Sequence, residues 1–234
     1  MKESGLKLNG EERANMSIYH LHIPRTSGTL VRQEIVNTFN DRFSGHREKL
    51  PESFSRFKYV SGHYATNPIK DLDENFAIVR DPVSLTFSRI NYMRQGFYPE
   101  MSFDEVFNMY LENGKINNFV NTNIKFLTGT VNRELYNNMV PDVKEMAESG
   151  WYVENYSTDA AEAIEIVEAN KTKIFEYNSP NIHRALSEMY KKHFIPKVLN
   201  DSIYQDRPGL EKHREAVENL NYLDLQFFNL LEKQ

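Results

Sequence analysis

The stretch from Ser17 to Leu30 constrains this chain more than any other. Ser17-Ile18-Tyr19-His20-Leu21-His22-Ile23 alternates apolar and polar residues, the period of a strand. Pro24 ends it, because proline has no N–H for a sheet ladder. Gly28 lets the backbone turn closely around a ligand. Leu30, Val31, Ile35 and Phe39 then fall near helical spacing, so a helix is expected to carry the unit to about Phe43. Strand, tight polar loop and helix together aim backbone N–H groups and a helix N-terminus at an anion. Arg25 adds a fixed positive charge, and Thr26, Ser27 and Thr29 add hydroxyls. The same residues also suit an ordinary strand-to-helix turn with a surface arginine. The G-x-x-x-x-G-K-[ST] spacing of the nucleoside triphosphate loop is missing, which disfavours a plain NTPase and leaves anion binding open.

The pattern of strand followed by helix continues. Phe57–Ala65, Asn75–Arg80 and Lys173–Tyr177 read as further strands, the second apolar enough to lie inside a parallel sheet. Helices are expected over residues 83–93, 102–111, 117–127, 158–168, 181–190 and 214–231. Residues 44–55 read as a connector, 194–199 as extended or irregular and 204–212 as a polar loop; 130–150 has no clear period. Alternating strands and helices imply an α/β fold, a parallel β-sheet flanked by helices. Residues 1–16 read as a polar lead-in and 17–234 as one domain.

The 234 residues, 40% of them hydrophobic, suffice for one buried core. A net charge of -5 argues against a nucleic-acid binder held by a broad basic surface. With no cysteine, disulfides, thiolate metal sites and cysteine nucleophiles are excluded. No run approaches the ~20 apolar residues of a membrane span, and the charged start shows no signal peptide, so a cytoplasmic protein is expected.

A second anion-suited turn follows the Asn75–Arg80 strand. Asp81-Pro82 reads as an N-cap followed by proline in the first helical position. Ser84 and Ser88 then share a helix face. Arg80 with a serine hydroxyl makes a fork for a phosphate, unless Arg80 simply pairs with Asp81 or caps a helix. Ligands of open parallel sheets sit at the carboxyl ends of the strands, so both turns can face one ligand. His63, after Gly62 at a strand end, is a candidate base; a packed histidine bonded to a backbone carbonyl is the plain alternative. His20 and His22 share a strand face and, with no third ligand nearby, read as structural, so no metal is expected. Tyr64, Tyr92, Arg94 and Tyr98 can line an acceptor or simply pack.

These residues resemble a known family. Ile23-Pro24-Arg25-Thr26-Ser27-Gly28-Thr29 is similar to the 5′-phosphosulfate loop of sulfotransferases that use 3′-phosphoadenosine 5′-phosphosulfate (PAPS), in the branch that includes the heparan sulfate 2-O-sulfotransferases. Arg80-Asp81-Pro82-Val83-Ser84 through Ser88 resembles their 3′-phosphate segment, and Gly62-His63 the turn that supplies their base. The stretch from Asn118 to Gly129 is also similar to a family helix. The likeness is fullest over residues 18–90 and thins beyond about 130.

The resemblance implies a P-loop-nucleotide-kinase-like sulfotransferase fold and transfer of a sulfuryl group from PAPS to a hydroxyl on a carbohydrate, lipid or small metabolite. It implies His63 as base and Arg25 as stabiliser of the leaving group. Pro24, Arg25, Thr26, Ser27, Gly28, Thr29 and Leu30 would hold the 5′ end, and Arg80 and Ser88 the 3′-phosphate, with no metal required. Arg207, in the basic run Arg207-Pro208-Gly209 with Lys212 and Arg214, matches a late segment that closes the 3′-phosphate site, or is a solvated loop. Arg25 departs from the family's usual lysine. It keeps the charge but cannot give up a proton. A kinase-like phosphoryl transferase and a non-catalytic nucleotide-binding protein are the alternatives.

Overall fold

The computed structural model describes residues 16–26, 31, 42–44, 49–139, 142–177 and 208–233. Among the described residues, five strands form one all-parallel sheet: β1 (Ile18–Leu21), β2 (Arg42–Ser44), β3 (Tyr59–Gly62), β4 (Glu74–Val79) and β7 (Lys173–Glu176), in the order β2-β3-β1-β4-β7. Two short strands, β5 (Thr130–Val131) and β6 (Val153–Glu154), pair antiparallel apart from it. Alternation along each strand serves two cores. Tyr19, Leu21, Val60, Ala77 and Val79 join the large cluster that runs to Phe227. Ile18, Tyr59, Phe76 and Ile78 pack on the other face with Val31, which is helical. Both faces of β1, β3 and β4 are therefore buried, as for interior strands of a parallel sheet.

The helices are α1 (Pro82–Phe97), α2 (Phe103–Glu112), α3 (Thr122–Thr128), α4 (Arg133–Met139), α5 (Val143–Glu148), α6 (Ala160–Ala169), α7 (Pro208–Leu220) and α8 (Tyr222–Leu231). Asp81 caps α1 by accepting from the Ser84 N–H, with Pro82 in the first turn. Ser102 and Glu105 complete a capping box on α2. The α1 helix lies between α2 and α7, while α8 packs on α6 and α3. Among the described residues, no helix is long and apolar enough to cross a membrane.

Three expectations need correction. The unit expected to stay helical to about Phe43 gives way to β2, whose backbone pairs with β3. Residues 117–127 are not one helix: Asn121 takes φ 49 and separates a 3-10 turn, Lys115–Asn118, from α3. The last helix begins at Pro208 rather than after a polar loop, and Asn221 divides it into α7 and α8. The undecided span from 130 to 150 holds β5, α4 and α5. The expectations for residues 1–15, for the helix at 181–190 and for 194–199 lie outside the described residues.

Gly62 marks where β3 must stay bare. A Cβ there would lie 2.3 Å from Cε2 and Cζ of Tyr64, whose fully buried ring packs against Phe54 and Tyr136. Gly62→Ala is expected to destabilise the fold by about 1–3 kcal/mol, the usual cost of overpacking a filled core. Thermal unfolding checks this; an unchanged midpoint would show that the ring yields without strain.

Candidate active site

Three strand ends open on one edge of the sheet. The register of β1 sets Leu21 beside Gly62 of β3 and Ala77 of β4. The residues that follow, the 22–26 turn, His63 and Arg80, leave the sheet at its carboxyl edge, where ligands of such sheets bind.

The first turn is closed by Thr26. Its N–H donates to the Ile23 carbonyl at 3.3 Å, and its hydroxyl donates to the same oxygen at 2.8 Å. Thr26 is fully buried, so its hydroxyl proton braces the turn instead of pointing to a ligand. Pro24 and Arg25 fill the two central positions, and Arg25 has φ 71. Proline followed by a positive φ is the pattern of a type II turn, where glycine normally takes the second place. An arginine there costs about 1–2 kcal/mol of backbone strain.

The Arg25 side chain crosses to α1. Its Nε donates to Ser88 Oγ at 3.1 Å, and its guanidinium lies 5.3 Å from the centre of the Tyr92 ring. Arg80, only 7% exposed, donates from Nε to Ser84 Oγ at 3.0 Å and from Nη1 to the Arg25 carbonyl at 3.3 Å. The Tyr177 ring centre lies 4.5 Å from its guanidinium carbon. The two arginine turns, separate in sequence, thus touch. Because Ser84 and Ser88 share a face of α1, each serine receives one arginine.

His63 is buried, with Nδ1 2.6 Å from the His22 carbonyl oxygen. A carbonyl only accepts, so Nδ1 carries the proton and, in the neutral ring, Nε2 carries the lone pair. A packed histidine and a base acting through Nε2 both call for this bond. The His63 ring centre lies 4.3 Å from that of His22 and 4.2 Å from that of Trp151. His20 sits deeper: its Nδ1 is 3.0 Å from Ser61 Oγ and its ring stacks on Phe76.

Other candidates lie elsewhere. Ser27, Gly28, Thr29, Leu30 and Arg207 are outside the described residues. Lys212 and Arg214 stand on α7, where Lys212 pairs with Asp104 at 3.0 Å and Arg214 with Glu211 at 3.0 Å. Tyr98 donates to Glu148 at 2.6 Å in a packed network with Tyr110 and Lys115, and Tyr64 belongs to the core.

Two neighbours of the site escape a reading of the sequence. Trp151 sits in a 3-10 turn, Gly150–Tyr152, with φ 64, followed by Tyr152 with φ 56. The only advance sign was that it is the sole tryptophan. Asn123 clamps the main chain of Arg80: its Nδ2 donates to the Arg80 carbonyl at 3.0 Å, and its Oδ1 accepts from the Arg80 N–H at 3.4 Å. Comparison with protein-family models, curated proteins and solved structures gave no match.

Proposed function

We propose that this protein is a PAPS-dependent sulfotransferase acting on a hydroxyl acceptor, built on the P-loop-kinase-like sulfotransferase fold. The observation that carries the reading is the meeting of the two arginine turns, with Arg80 bonded to the Arg25 carbonyl and Arg25 bonded to Ser88. Two guanidiniums at one sheet edge suit a ligand with two anionic groups. The strained φ of Arg25 keeps an arginine where glycine would sit more easily, which supports a role for its side chain.

The nucleotide brings the sulfuryl group. In the proposed transfer the acceptor oxygen bonds to sulfur in line as the bond from sulfur to the 5′-phosphate oxygen breaks. The Nε2 of His63 takes the acceptor's proton. Arg25, a permanent cation at the sheet edge, offsets the negative charge that grows on the departing phosphate. Arg80 with Ser88 holds the 3′-phosphate. Positive charge comes from the side chains, so the reading needs no metal.

Calorimetry tests it. 3′-Phosphoadenosine 5′-phosphate (PAP) is expected to bind about tenfold or more tighter than adenosine 5′-phosphate, because a charge-assisted contact is worth about 1.5–3 kcal/mol. Equal affinity for the two would remove the 3′ clamp, and magnesium-dependent ATP turnover would favour the phosphoryl-transfer alternative.

A further inference from the structure

We infer that Asn123, held in place by Asp224, is a positioning residue for Arg80, so that the α3–α8 junction sets the grip on the 3′-phosphate. The inference rests on the sulfuryl-donor reading above.

The argument begins where β4 stops. The last ladder bond on that side runs from the Tyr177 N–H to the Val79 carbonyl at 2.7 Å. The next backbone polar groups, on Arg80, are buried and need partners. Asn123 supplies both from one amide, as a neighbouring strand would. Its orientation has one solution. Nδ2 faces the Arg80 carbonyl and, at 3.0 Å, the Asp224 carboxylate, and both only accept.

Asp224 is fully buried on α8. One carboxylate oxygen takes the Asn123 N–H at 2.9 Å as well as Nδ2; the other takes the Ile124 N–H at 2.9 Å. It therefore caps α3 from another helix. Asn121 returns the arrangement: its Oδ1 accepts from the Asp224 N–H at 3.1 Å, and its Nδ2 donates to the Leu220 carbonyl at 3.0 Å. Each helix start is capped by the other, so Asn123 has little freedom to turn. Burial lifts the Asp224 carboxyl to about 6, against the pull of the amide donors and Lys125. At pH 7.5 it stands in the acceptor form.

The test compares wild type with Asn123→Ala and Asn123→Ser at pH 7.5, using PAP and adenosine 5′-phosphate in calorimetry and amide hydrogen exchange at Arg80 and Ala77. Asp224→Ala, which removes the acceptor of the Asn123 N–H and Nδ2 together, is the independent second site. The expected result is a preference for PAP reduced about tenfold with adenosine 5′-phosphate affinity within about twofold, and Arg80 exchange at least about tenfold faster with Ala77 unchanged. A preference that survives in folded variants overturns the inference. So does an equal loss for both nucleotides with faster exchange at Ala77, which marks general loosening. If wild type binds neither nucleotide, the donor reading falls separately, and unchanged Arg80 exchange then overturns the clamp.

Discussion

Replacing His63 with alanine is expected to slow sulfuryl transfer by about a hundred- to ten-thousand-fold, the range for loss of a positioned general base. The His22 carbonyl fixes the tautomer, so Nε2 is the basic atom of the neutral ring. The rings of His22 and Trp151 pack against the imidazole. The loss should therefore fall on turnover. Affinity for PAP should stay within about twofold, since the nucleotide is assigned to Arg25, Arg80 and Ser88 and not to His63. Rates with a sulfated-product assay, set beside calorimetry, decide it. Retained turnover in a folded His63→Ala protein would leave His63 as a packed side chain.

Arg80→Ala is expected to weaken PAP binding by about a hundredfold or more, as for loss of two charge-assisted bonds to one phosphate. Part of the effect is local. Ser84 and the Arg25 carbonyl lose a donor, so the first turn loses one of its braces. The diagnostic is selectivity. PAP should lose far more than adenosine 5′-phosphate, whose only phosphate lies at the other end. Arg80→Lys should recover little, because a point charge cannot bond Ser84, the Arg25 carbonyl and a phosphate in the geometry of a planar fork. An equal loss for both nucleotides would mean that Arg80 shapes the turn and does not read the 3′ end.

The parts of the fold written in local signals were readable in advance. β1 announces itself by alternation, β4 by apolar composition, and β1 and β3 also by the proline or glycine break near their ends. Asp81-Pro82 and Ser102 with Glu105 carry their caps within a few residues. From these alone Arg25 and Arg80 belong at one sheet edge, and the structure brings them into contact. What escaped depends on distant partners or on very short elements. β2 has three residues and β5 two, too few to show a period. The helix breaks at Asn121 and Asn221 are tied together by one bond, from the Asn121 N–H to Asn221 Oδ1, 100 positions apart. Asn123 lies inside a stretch that reads as continuous helix, and nothing near it in sequence reveals its hold on a strand end.

The reciprocal caps of α3 and α8 also bear on the order of synthesis. Asp224 reaches Asn123 across 101 positions, and contacts of such span form late because closing the intervening chain costs entropy. A nascent chain that has delivered β1, β3 and β4 but not yet α8 holds both arginines without the carboxylate that steadies the second. Under the proposed function, competence for the bisphosphorylated ligand would then arrive only once α8 has left the ribosome, well after the sheet edge has been made.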